Sequence, residues 1–194
     1  MRSWCRPIGS SGDRPAALAR LVGIILNDGV RRPTVDLERL RFAAGTPYET
    51  DMSVGSVGER VLAPEVAAMV RRAMLAVVAE GTAKRVRGTF RAADGSPIAV
   101  GGKTGTGDNR FDTFGAGGRL IGQRVVDRTA TFVFFLGDRF FGTITAYVPG
   151  AVAIRYDFTS ALAVQLLKAI EPQFRPLIQS RVERDAGPAP PPKG

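Results

Sequence analysis

Two segments of alternating hydrophobicity on either side of a turn dipeptide constrain this chain more than any other feature. Over residues 129–136, Ala130, Phe132, Phe134 and Leu136 fall on one side of an extended backbone, because side chains alternate with period two. Gly137-Asp138 follows and is a two-residue hairpin signal. Residues 143–148 resume the alternation, with Thr143, Thr145 and Tyr147 against Ile144, Ala146 and Val148. Strands joined this closely run antiparallel, since a parallel return needs a crossover of about a dozen residues or more.

Helical patterns flank these strands. From Pro15 onward Ala17, Leu18, Leu21, Val22 and Ile25 recur at helical spacing, and Asn27-Asp28-Gly29 is a stop signal. Pro64-Glu65 opens a second helix whose apolar stripe is Val66, Met69, Val70, Ala73 and Val77, closed by Gly81; Met69 and Met74 are expected in the core. Phe158, Leu162, Leu166 and Ile170 line a third helix, ended by Pro172. Residues 30–60 read as a long loop with a short strand over 34–37, and Asp94-Gly95 reads as a turn. A glycine-rich stretch runs from Gly107 to Gly122, with no helical pattern. Helices, then three strands, then a helix predict an α+β fold, an antiparallel sheet packed with helices. The expected organisation is an irregular lead-in over 1–12, a domain over 13–172 and a Pro-rich, disordered tail over 173–194.

Composition narrows the chemistry. The 194 residues are 44% hydrophobic and 23% charged, enough for a core. There is no histidine, which excludes a histidine base or a His-ligated zinc site, and the single Cys5 excludes an internal disulfide. No metal or cofactor is expected. A charge of +9 invites an anionic polymer as partner. The one cluster is Lys84, Arg85, Arg87 and Arg91, which few aromatics accompany, so base stacking is unsupported and no nucleic acid is expected. A non-enzymatic basic module binding an anionic polymer through those four residues is the rival to an enzyme. No apolar run approaches the ~20 residues that span a bilayer, and residues 1–12 lack a signal-peptide core. As given, the chain is expected to stay in the cytoplasm.

Lys103-Thr104-Gly105-Thr106 is the stretch that points to chemistry. On a strand Thr104 and Thr106 project to the same side. Two hydroxyls and an ammonium suit a carboxylate, and Gly105 lets a ligand lie against the backbone. A glycine-rich loop with an exposed lysine is the bland alternative. A phosphate-binding P-loop would need a glycine six residues before the lysine, where Pro97 stands, and no helical pattern follows.

The same four residues resemble the lysine–threonine–glycine box of penicillin-recognising serine transpeptidases and β-lactamases. Residues 60–66, their helix, and Val78-Ala79-Glu80-Gly81-Thr82-Ala83-Lys84-Arg85 are similar to the stretch before this box in class A penicillin-binding proteins. Residues 14–20 through Asn27-Asp28-Gly29 are similar to an earlier helix of that family. The resemblance spans residues 13–171 and places the chain as the C-terminal half of the transpeptidase domain. It implies acyl transfer on D-Ala-D-Ala stem peptides of peptidoglycan, which β-lactams mimic. By position, Lys103 would supply positive charge near the nucleophile and the substrate carboxylate, and Thr104 and Thr106 would hold that carboxylate. The Thr106 N–H would be an oxyanion donor, and Gly102 and Gly105 would allow close approach.

Two boxes of the family are missing from the 194 residues. The residues three positions before Lys84, Lys103, Lys168 and Lys193 are Gly81, Val100, Gln165 and Pro190, so there is no Ser-x-x-Lys, and no Ser-x-Asn occurs. The family's aromatic-rich segment after the box is replaced by Asn109-Arg110-Phe111-Asp112-Thr113-Phe114-Gly115. The chain is therefore expected to begin after both boxes and to be inactive alone. Stem peptide and β-lactam would be partners only if the missing half is present. A membrane would be reached only through an upstream anchor absent here. The parent family works on the periplasmic face of the cytoplasmic membrane.

Overall fold

The computed structural model describes residues 14–35, 39–53 and 57–185. Helix α1 (Pro15–Leu26) begins at a proline, which suits a first turn because its missing N–H is unpaired there in any case. It stops at Asn27, whose backbone N–H and side-chain amide both donate to the Gly23 carbonyl, at 3.0 and 2.9 Å. Gly29 then takes φ +87, and a Cβ there would lie 2.2 Å from the Leu62 carbonyl oxygen. Only glycine lets the end of α1 lie against the lead-in to the next helix. The Val61 and Leu62 N–H groups both donate to the Gly29 carbonyl across this contact.

Between the helices, the expected loop forms two short antiparallel ribbons. β1 (Val30–Arg31) pairs with β4 (Glu59–Arg60), and β2 (Arg39–Phe42) pairs with β3 (Thr50–Ser53). The anticipated strand over 34–37 is not formed at residues 34 and 35, and 36–37 lie outside the described residues. Helix α2 (Pro64–Ala79) begins and ends where the sequence predicts, but it is rotated. Ala67, Met74 and Val78 are buried, while Val66 and Met69 of the expected stripe are exposed, Met69 at 58%. Met74 is in the core and Met69 is not. The helix has apolar residues on more than one side, so periodicity alone does not say which side meets the sheet.

The sheet has three antiparallel strands in the order β5-β6-β7, comprising β5 (Val100–Phe114), β6 (Leu120–Leu136) and β7 (Phe140–Pro149). Thr104 stands opposite Phe132, and Thr131 opposite Thr145. The β6–β7 hairpin closes on the Leu136–Phe140 pair, so its loop holds residues 137–139, one more than the dipeptide signal implies. The glycine-rich stretch over 107–122 is mostly strand. β5 and β6 stay paired beyond the sheet body as a two-stranded ribbon, shifting register at Asn109/Arg110 and Thr113/Phe114. Phe114, Leu120 and Ile121 are exposed in this ribbon, and a ribbon exposed to water needs no apolar alternation, so the signal used to find strands is missing there. The Asp94-Gly95 turn forms as predicted. Asp94 accepts from the Ser96 hydroxyl and N–H, and these bonds hold its carboxyl below the usual carboxylate range.

Helices cover both faces of the sheet. Ala130, Phe132, Phe134 and Leu136 share a face, as their spacing predicts. Phe132, Phe134 and Leu136 meet α3 (Ser160–Ala169), with Val86 and Phe90 from the loop after α2 and Ile178 from α4 (Glu171–Asp185). On the other face Val133 and Phe135 meet Val22, Ile25 and Leu26 of α1 and Met74 of α2. The Arg71 guanidinium lies 5.6 Å from the Phe135 ring centre and pairs with Asp138. In α3 the buried residues are Ala163, Val164 and Leu167, while Leu166 is exposed. Pro172 does not end the fold. It sits in the first turn of α4, so residues 173–185 are helical where a tail was expected, and 186–194 lie outside the described residues. The fold is α+β, an antiparallel sheet packed with helices.

Candidate functional site

β5 stands at one edge of the sheet, and among the described residues no further strand pairs with it. Alternation along it sorts the box residues between two faces. Thr104 and Thr106 lie on the α3 side, as the spacing predicts, and Lys103 lies on the α1/α2 side. The two hydroxyls and the ammonium therefore do not converge on one face.

Each hydroxyl makes an internal bond. Thr104 is 5% exposed, and its Oγ1 lies 2.6 Å from Oγ1 of Thr82, in the turn after α2. Thr106 is exposed, and its Oγ1 accepts from the Ser160 N–H at 2.8 Å. Ser160 opens α3, so Thr106 satisfies one of the donors that the first helical turn leaves unpaired. A hydroxyl that accepts keeps its own proton to give, so Thr106 can still donate to a ligand. Lys103 is exposed, and its Nζ donates to the Thr104 carbonyl at 2.6 Å.

The glycines of the box divide as well. A Cβ at Gly102 would lie 2.5 Å from both the Phe132 ring and the Val133 carbonyl oxygen, and one at Gly101 would lie 2.2 Å from the Phe135 ring. The space above each is filled by an aromatic ring from β6. Gly105, between the two threonines, is half-buried.

Beside Lys103 an apolar trough of about 350 Å³ runs between α1 and α2. Leu18, Leu21, Val70, Ala73 and Val77 are among its walls, and Lys103 is the charged group lining it. Neither Thr82 nor Ser160 was singled out as a partner by spacing. Thr82 belongs to the Gly-Thr-Ala turn quoted above, and Thr159-Ser160 has the form of a helix start, with Thr159 Oγ1 accepting from the Ala161 N–H.

The basic cluster sits on and after a single 3₁₀ turn at Lys84–Val86, and all four of its residues are exposed. Arg87 donates to the carbonyl of Ala79, the last residue of α2, and Arg91 to that of Gly95. Two of the four guanidinium or ammonium groups thus finish local backbone structure. Among the described residues no three His, Cys, Asp or Glu side chains gather as a metal site would need. No helix of those residues is long and apolar enough to cross a membrane.

No protein-family model matches the chain, and no curated protein matches it in sequence. Among solved structures, it is similar to PBPA from Mycobacterium tuberculosis, at 17% identity and a TM-score of 0.48, over 82% of this chain and 31% of that one. A peptidoglycan synthetase from Bifidobacterium adolescentis aligns at 21% identity and a TM-score of 0.46, over 91% and 28% of the two chains. A peptidoglycan glycosyltransferase from Burkholderia ambifaria aligns at 20% identity and a TM-score of 0.48, over 85% and 41%. The chain spans well under half the length of each of these three structures.

Proposed function

We propose that this chain is the C-terminal part of a penicillin-binding D,D-transpeptidase domain of the class A kind, carrying one wall of an acyl-transfer site. The contact between Thr82 and Thr104, at 2.6 Å, carries the reading. It joins the Gly81-Thr82-Ala83 turn to the Lys103-Thr104-Gly105-Thr106 strand, two boxes that resemble the same family and stand over twenty residues apart in sequence.

The geometry refines the roles. A ligand lying along the outer edge of β5 is reached by side chains from both faces of the strand. Lys103 would approach a substrate carboxylate from the α1/α2 side, and Thr106 would donate its remaining proton from the α3 side. Gly105, between them, leaves the backbone open, and the Thr106 N–H is assigned to the oxyanion that develops on acyl transfer. Thr104 holds the strand to the turn after α2 through its hydroxyl contact with Thr82. Gly102 admits the Phe132 ring. The nucleophile, a serine activated by a lysine, comes from outside these 194 residues, because no serine precedes any of the four lysines by three. Stem peptide and β-lactam are partners of the completed domain, on the outer face of the membrane.

Intact-mass measurement after incubation with a β-lactam tests this in two arms. The 194-residue chain alone is expected to show no adduct, and a stoichiometric adduct would overturn the claim of inactivity. The chain joined to upstream coding sequence that supplies Ser-x-x-Lys and Ser-x-Asn is expected to acylate, and to lose most of that rate with Lys103→Ala. Failure of the joined protein to acylate would overturn the assignment.

A further inference from the structure

The exposed hydroxyl of the box is aimed by a residue 54 positions further along the chain. Thr106 Oγ1 accepts from the Ser160 N–H at 2.8 Å. A threonine side chain chooses among staggered positions, and its hydroxyl has one proton to give. With Oγ1 held by an N–H, that proton must point away from α3. Thr106 is exposed, so the proton is offered to solvent or to a ligand. A donor behind a hydroxyl also polarises it, which strengthens the bond it gives, most of all to a carboxylate.

The N–H is itself firmly held. Ser160 is the first residue of α3, and Ala163, Val164 and Leu167 of that helix are completely buried. Arg128 fixes the chain that leads into the helix. Its Nε donates to the Phe158 carbonyl at 2.9 Å, and its guanidinium lies 5.5 Å from the Phe158 ring centre. Arg128 stands on β6 two residues before Ala130, the partner of Thr106, and on the same face. Box, neighbouring strand and helix start are thus tied together on the sealed side of the sheet. A group on a rigid element holds a functional side chain more closely than a loop can.

We propose that the start of α3 serves the acyl-transfer site, with Ser160 as a positioning residue whose backbone N–H orients the Thr106 hydroxyl toward the substrate carboxylate. This role rests on the transpeptidase reading and adds to it a group outside the box. Lys103 supplies charge from one side of β5, and the first turn of α3 sets the geometry on the other.

The test uses the chain joined to upstream coding sequence that supplies Ser-x-x-Lys and Ser-x-Asn. It compares acylation by a β-lactam with a free carboxylate and by the methyl ester of the same compound. Ser160→Pro puts a ring carbon where the amide proton was, so the Thr106 hydroxyl must turn away. Proline suits the first position of a helix, and Thr159 is already extended, at φ −113 and ψ 178, as the residue before a proline prefers. The variant should acylate about tenfold more slowly with the free acid and within about twofold of normal with the ester. Ser160→Ala, which keeps the N–H, should restore the rate that Ser160→Pro loses. In a Thr106→Ala background Ser160→Pro should cost nothing further. In the isotope-labelled joined protein, the Ser160 amide proton should move downfield on reaction with the acid and not with the ester. That measurement needs no variant and decides alone if Ser160→Pro does not fold. With a wild-type protein that acylates, an unchanged Ser160→Pro rate, an equal loss with the ester, no rescue by Ser160→Ala or an unmoved amide would each overturn the role of Ser160 alone. A wild-type joined protein that does not acylate overturns the transpeptidase reading and this role with it.

Discussion

The two faces of the sheet are built from similar residues but close to different degrees. On the α3 face, Phe132, Phe134 and Leu136 are sealed by α3, by Val86 and Phe90 from the loop after α2, and by Ile178 of α4. Phe90, Phe132 and Leu167 have no exposed surface there. On the other face, α1 and α2 cover Val133 and Phe135 but leave the trough beside Lys103, with Leu21 at 45% and Met69 at 58% exposed. One core is finished by chain that loops back over it, while the other rests on two helices whose outward sides are also apolar. The difference places stability on the first face and openness on the second, and β5 runs between them.

Five substitutions measure that contrast, each by chemical denaturation of the full chain. The largest effect is expected from Phe132→Ala, which opens a cavity in the sealed core and should cost about 3–5 kcal/mol. An effect comparable to a surface change would mean that this face is not closed. Gly102→Ala should cost roughly 1–3 kcal/mol, because its Cβ meets backbone at Val133 as well as the Phe132 ring, and backbone cannot swing aside. Thr104→Val keeps the shape but removes the bond to Thr82, for about 1 kcal/mol. Thr82→Val should then add little on top of it, since the two residues share one contact. Met69→Lys, on the open side, should stay within about 0.5 kcal/mol. A larger loss there would show that something covers α2.

How far the sequence could be read varies with the signal each element carries. Helix α1 was legible to the residue, since Pro15 opens it and Asn27-Asp28-Gly29 closes it by local backbone chemistry. The face of β6 bearing Phe132 and Phe134 was equally plain, because period-two alternation against a buried surface has one solution. Helix α2 had correct ends and the wrong face: Val66 and Met69 make as good a stripe as Ala67, Met74 and Val78. The ribbon over 107–122 was missed because its pairing is made by backbone groups, which every residue carries.

The site followed the same division. Sequence spacing put Thr104 and Thr106 on one side of a strand, and they are there. What spacing could not say is that Thr104 faces Thr82, that Thr106 meets the first turn of α3, or that Lys103 lies across the strand beside an apolar trough.

By itself, then, the sequence determined the local grammar: the helix ends, the antiparallel hairpin, the residues of the lysine box and the lack of any serine three before a lysine. Those follow from dihedral preferences, side-chain alternation and identity, which act over a few residues. The tertiary structure alone decided which side of α2 is buried, which strands stand at the edges of the sheet among the described residues, and which partners the two hydroxyls of the box take. These depend on partners distant in the chain, such as Phe132 against Gly102 and Thr82 against Thr104, brought together only when the sheet and its helices pack.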